Sequence, residues 1–278
     1  MTPPDISGED FRPFEIVDGG VESGIVLLCD HARNTLPDGY GSLGLPASEF
    51  DRHIAYDIGA EELTRKIAAR LGCAAVHSCF SRLLIDPNRG EDDPTIVMRL
   101  SDGTVIPGNH PISPSEIEAR IKRYHAPYHD AIDAMLDRAM SEGSVPMVFS
   151  IHSFTDHWKG VKRPWDAAIL WDNDPRLSRF MIEGLRRRND LTIGDNEPYD
   201  GALKNDTMYR HCVKRGLAHA LLEVRQDLIG ASSGVDSWVD IIAPLLEEAA
   251  AMPDMHVVRY FGSRTDGSDR DGLNDKDG

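Results

Sequence analysis

Two histidines and a glutamate sit at or near the ends of apolar runs: His31 after IVLLC (25–29), His152 after MVFSI (147–151), and Glu223 inside AHALLEV (218–224). A catalytic zinc takes three protein ligands from His, Asp or Glu and leaves a fourth position for water. A carboxylate beside such a centre acts as general base, and the combination hydrolyses amides. A third ligand is offered by RHIAYDIGAEEL, where His53 and Asp57 are spaced i,i+4 and share a face if helical. Asp57 is the preferred ligand and His53 the alternative. Asp57 could equally hydrogen-bond His53, or hold the far nitrogen of a ligand histidine. Glu223 lies in an apolar strand, where an unpaired carboxylate is costly. Either Arg225 neutralises it as a structural pair, or it faces the water it activates. Arg89 and Arg225 each carry the planar fork that grips a carboxylate, and each also has an ordinary reading as a structural ion pair.

The elements that must position these groups are legible as alternating strands and helices. IVLLC, MVFSI and AHALLEV are continuously apolar, which fits strands buried on both faces of a largely parallel sheet flanked by helices. In such sheets ligands bind outside the carboxyl ends of the strands, where His31 and His152 fall. CAAVHSCF (73–80) and AAILWD (167–172) read as further strands. EELTRKIAARLG (61–72) is helical and ends in Gly72, while PRLSRFMIEGLRRRN (175–189) and SWVDIIAPLLEEAAAM (237–252) are two more helices. Over 114–143, Ser115 and Glu118 make a capping box, and Pro127 is expected to bend or break the helix. The Pro/Gly/Asp-rich stretch 90–114 reads as a loop or hairpin over the site.

Composition agrees with an enzyme of this kind. The chain has 278 residues, 41% of them hydrophobic, enough for one large α/β domain over 1–262. Residues 263–278 have almost no apolar side chains and are expected to be a disordered acidic tail. A net charge of −16 argues against nucleic acid as partner, because phosphate contacts need clustered Lys and Arg. The cysteines at 29, 73, 79 and 212 lack metal-type spacing and read as buried reduced thiols. The N-terminal MTPPDISGEDF lacks a signal-peptide layout, and no apolar run is long enough for a bilayer, so a cytoplasmic protein without a membrane partner is expected.

Nine segments in order, CDHARNTLP, HIAYDIGA, SRLLIDPNR, IPGN, YHAPYHDAI, SIHSF, GDNEPYDG, TMYRH and LLEVRQDLI, resemble successive blocks of the N-formylglutamate amidohydrolase family. The resemblance runs from about residue 25 to 245. It implies a mixed α/β fold of the zinc carboxypeptidase and phosphorylase/hydrolase type, and hydrolysis of N-formyl-L-glutamate to formate and glutamate, a reaction associated with histidine degradation. SIHSF and LEV also resemble blocks of zinc-dependent cell-wall amidases, and IDPNR resembles the Asp-Leu-Asn-Arg of aspartoacylase-like enzymes. The roles implied are His31 and His152 on zinc, Glu223 as base, and Arg89 on a substrate carboxylate; Arg225, two residues beyond Glu223 and on the same strand face, could stabilise the oxyanion. Asn88, Asn196, Tyr199 and His211 would line the pocket for a small anionic N-acyl amino acid. The first block departs from the pattern: Asn34 stands where carboxypeptidase-like enzymes often carry a glutamate ligand, and His-Ala-Arg replaces His-Ser-Gly. The departure leaves open another N-acyl amino acid or small peptide as substrate, or a non-catalytic binding protein on the same fold.

Overall fold

The computed structural model describes residues 11–266, and a seven-stranded sheet organises them. Its strands are β1 (Phe14–Val17), β2 (Ile25–Cys29), β3 (Ala74–Ser78), β6 (Met147–Phe154), β9 (Ala167–Leu170), β10 (Ile193–Asp195) and β11 (His219–Arg225), in the order β1-β3-β2-β6-β11-β9-β10. The neighbours β3-β2, β2-β6, β6-β11 and β9-β10 are parallel, whereas β1-β3 and β11-β9 are antiparallel. Two short hairpins stand apart from the sheet, β4 (Leu100–Ser101) with β5 (Thr104–Val105) and β7 (His157–Trp158) with β8 (Val161–Lys162). The largely parallel sheet expected from the continuous apolar runs is therefore present, made mixed by the two antiparallel pairs.

Both sheet faces are covered, which is why those runs do not alternate with polar residues. Ile25, Leu27, Phe149 and Leu222 pack under helices α1 (Ala60–Leu71), α4 (Arg176–Arg186) and α7 (Ser232–Ala250). Val26, Leu28, Val148 and Leu221 pack on the other side with α3 (Ala126–Ser141). The cap of α2 (Pro114–Arg120) is Ser113, whose hydroxyl accepts from the Glu116 N–H, two residues before the expected Ser115. Pro127 does not break the helix. A π turn over Ile121–His125 joins α2 to α3, and Pro127 then falls in the first turn of α3, where its missing N–H is tolerated.

The stretch 90–114 contains the β4-β5 hairpin but lies beside the site. Its Ile106 is buried with Leu43, Ile54 and Leu83, so it shores up the turn carrying His53. All four cysteines are buried free thiols. Within the segment read as a tail, Arg264 is held by the Asp172 carboxylate (3.2 Å) and the Asp200 carboxylate (2.6 Å). The rest of that segment, 267–278, lies outside the described residues. No helix among the described residues is long and apolar enough to cross a membrane.

Candidate metal centre

Parallel pairing brings the chemistry to one edge of the sheet. His152 in β6 is in register with Glu223 in β11, and His31 follows the end of β2 on the other side of β6. Asp57 arrives on a turn, not on the helix its spacing suggested. Its backbone N–H donates to the His31 carbonyl (2.9 Å). Gly59 then bends the chain into α1 at φ +80°, where a β-carbon would stand 2.2 Å from the Ile229 carbonyl oxygen. His31, Asp57 and His152 each present one ligand atom, all within 4.8 Å of one another and all buried. His53 lines the same cavity but falls outside this group, its Nε2 lying 3.5 Å from Asp102. Asn34 donates to the Phe50 carbonyl (2.7 Å), away from the three.

The donor set fits a divalent metal. His31 Nε2 donates to Asp86 Oδ1 (2.7 Å) and His152 Nε2 donates to Asp30 Oδ2 (2.9 Å). With Nε2 protonated, each ring keeps its Nδ1 lone pair for a ligand. Both Nδ1 atoms face Asp57 Oδ2, at 3.4 and 2.8 Å. Asp30 is satisfied from every side, accepting also from the Tyr128, Thr207 and Ser150 hydroxyls. Burial works to raise Asp30, Asp57 and Asp86, yet the adjoining histidines and, for Asp86, first Arg82 hold all three below the usual carboxylate range. Burial works to lower His31 and His152, and these carboxylates lift both above the usual imidazole value. Asp30 and Asp86 belong to the CDHARN and IDPNR segments and were not singled out as site residues. The signal was there, since an Asp closing an apolar run must find a partner.

Glu223 differs from these carboxylates. Its residue is 7% exposed, and Oε2 has no hydrogen-bond partner. Burial pushes its pKa up from the ordinary value; His152 opposes that and Asp57 adds to it. It borders a cavity of about 330 Å³ that also touches His31, Asp57, Arg82, Arg89 and Tyr199. Asn88 joins them, its side-chain oxygen accepting from the Thr207 N–H (3.2 Å). Arg82, which no spacing in the sequence marks, pairs with Asp86 (2.8 Å) and lies 3.6 Å from Asp57, while its Nε has no partner among the described residues.

Three expected site residues are placed elsewhere. Arg225 shares a strand face with Glu223, but β11 ends there. Asp166 (2.9 Å), Asp227 (2.7 Å) and the Trp165 carbonyl (3.0 Å) take its guanidinium, and it does not line the cavity. Asn196 sits at φ +53°, a conformation Asn tolerates, and its side-chain oxygen accepts from the N–H groups of Trp171 (2.9 Å) and Gly201 (3.0 Å). It clamps the turn that carries Tyr199. His211, on α5 (Thr207–His211), is buried behind the cavity wall. Its Nε2 contacts His129 Nδ1 (2.8 Å) and its Nδ1 contacts Asp133 (3.0 Å). His129 Nε2 donates to the Pro87 carbonyl (3.0 Å), and His125 Nε2 to the Arg89 carbonyl (2.9 Å). The three histidines brace the loop that presents Asn88 and Arg89.

The family model described as N-formylglutamate amidohydrolase matches residues 23–230. Among solved structures, a gene product of Agrobacterium tumefaciens is 29% identical with a TM-score of 0.83, over 88% of this chain and 97% of that one. An N-formylglutamate amidohydrolase from Ralstonia eutropha JMP134 is 22% identical with a TM-score of 0.59, over 86% of this chain and 97% of its own. Among curated proteins none matches.

Proposed function

The chain belongs to the N-formylglutamate amidohydrolase family, and from that premise we propose that it hydrolyses N-formyl-L-glutamate, or a related N-acyl amino acid, with a divalent metal, zinc, as cofactor. The observation that carries this reading is the unpartnered, buried Oε2 of Glu223 beside two histidine Nδ1 atoms converging on one carboxylate. His31, Asp57 and His152 would hold the metal. A metal so bound acts as a Lewis acid and lowers the pKa of water toward neutrality.

The chain's own groups divide the rest of the reaction. Glu223, disfavoured as an anion by burial, takes a proton from the attacking water as its oxygen bonds to the acyl carbon. It returns that proton to the amide nitrogen as the C–N bond breaks, so a neutral amine departs with the carboxylic acid. Arg82, with its free Nε, takes the charge growing on the acyl oxygen, the role first expected of Arg225. Arg89 and Asn88 grip the substrate carboxylate at the cavity wall. The cavity continues past the ligand group to Leu170, Met208 and Leu221, and this favours an acyl group larger than formyl as a second reading.

Formate release from N-formyl-L-glutamate by purified protein, with zinc or chelator, tests the proposal. Release should require metal and vanish in His31→Ala. In Glu223→Gln the rate should fall about 10²- to 10⁴-fold with about one metal per chain retained. Full activity in Glu223→Gln would remove that residue from the base role. Metal bound without formate release would move the search to longer acyl groups.

A further inference from the structure

Four arginines are buried among the described residues: Arg120, Arg163, Arg176 and Arg225. Three have a carboxylate partner: Arg120 pairs with Glu116 (2.9 Å), Arg176 with Asp174 (2.6 Å) and Arg225 with Asp166 (2.9 Å). Arg163, 7% exposed, has none. Its polar contacts are a long one from Nη1 to the Thr155 carbonyl (3.4 Å) and the Tyr199 hydroxyl beside it. Its guanidinium instead lies among the rings of Tyr199, Phe154 and Trp158, at 5.0, 5.5 and 5.5 Å from their centroids. Such contacts offset part of the desolvation of a cation but leave its N–H donors to be satisfied.

The local chain explains the placement. After His152 and Phe154, the β7-β8 hairpin turns back at Lys159 and Gly160, both at positive φ, a two-residue turn that matches the twist of its strands. The Arg163 N–H then donates to the Asp156 carbonyl (2.8 Å), returning its side chain to Phe154. Phe154, Thr155 and Tyr199 line the metal cavity, and Tyr199 also lines the groove that Arg163 shares with Lys159 and Lys162. Three cations thus line a groove that adjoins the metal cavity through Tyr199, in a chain of net charge −16.

We propose that Arg163 is a second anion-binding residue, in the groove that adjoins the metal cavity at Tyr199, taking a substrate carboxylate remote from the scissile amide and selecting dicarboxylic N-acyl amino acids over neutral ones. The inference rests on the hydrolase reading above, with Arg89 on the nearer carboxylate.

N-formyl-L-glutamate and N-formyl-L-glutamine have nearly the same shape and differ in the terminal charge. Wild type should prefer the glutamate compound. Arg163→Met should lower its kcat/KM about 10- to 100-fold, chiefly through KM, and leave the glutamine compound little changed. Arg163→Lys should restore part of the preference. Equal losses on both substrates would make Arg163 a packing residue and overturn the proposal. Calorimetric binding of L-glutamate and L-glutamine separates the two levels of argument. If neither formyl compound is hydrolysed but folded wild type binds glutamate more tightly and Arg163→Met does not, the hydrolase reading fails and the subsite stands. No preference for glutamate in wild type refutes the subsite, whether or not Arg163→Met folds.

Discussion

Among the described residues are two buried histidine clusters, and their surroundings differ in kind. His31 and His152 each have a carboxylate on both ring nitrogens, and their Nδ1 atoms converge on Asp57. His125, His129 and His211 meet backbone carbonyls and each other, with carboxylates only at the two ends, Asp133 on His211 (3.0 Å) and Glu91 4.0 Å from His125. The imidazole pKa values move accordingly. Burial works to lower His31, His152, His125 and His129, but carboxylates lift the first two, whereas His125 and His129 stay below the ordinary value. Rings flanked by anions and sharing a focus can hold a cation. Rings spent on carbonyl oxygens hold a loop in place. Residue type and burial are the same in both, so the partners of the second nitrogen carry the distinction.

The largest effect should come from removing the shared focus. Asp57→Ala should reduce bound metal from about one per chain to nearly none by elemental analysis after dialysis, whereas His211→Ala should retain it. Comparable losses in the two variants would erase the distinction between the clusters. A smaller effect should follow from Asp86→Asn, which weakens the anion behind the His31 Nε2 donor. Competition with a chromogenic chelator should report metal affinity about 10- to 100-fold lower, and an unchanged affinity would reduce Asp86 to a packing role. The smallest belongs to the brace. His129→Leu removes the donor to the Pro87 carbonyl and leaves His211 without that acceptor, so urea unfolding should show a loss of about 1–3 kcal/mol. Metal content should hold while KM rises with the looser Arg89 loop; loss of metal would instead tie this cluster to the cation site.

Much of the fold was legible because the physics that sets it is local. IVLLC is a strand at the residues named, and the 61–72 pattern became α1 over 60–71, since doubly buried runs and helical spacing each suit one geometry. His31, His152 and Glu223 were legible because strand ends in a parallel sheet converge whatever the intervening sequence. The capping box at Ser115 was misplaced by two residues because Pro114 occupies the first helical position, making Ser113 the cap.

The sequence by itself determined five of the seven sheet strands and the longer helices, the two histidines and glutamate at one sheet edge, and, through nine ordered segments, the family. Only the tertiary structure decided between Asp57 and His53, because the turn at 52–58 and the hydrogen bond to the His31 carbonyl set which side chain enters. It also decided which arginines are free to act. Arg225 meets Asp166 and Asp227, Arg82 lines the cavity with an unpartnered Nε, and Arg163 lies among rings with no carboxylate partner among the described residues. A guanidinium's partner can lie anywhere within reach of a long side chain, so charge pairing depends on distances between segments far apart in the chain, which spacing along it does not encode.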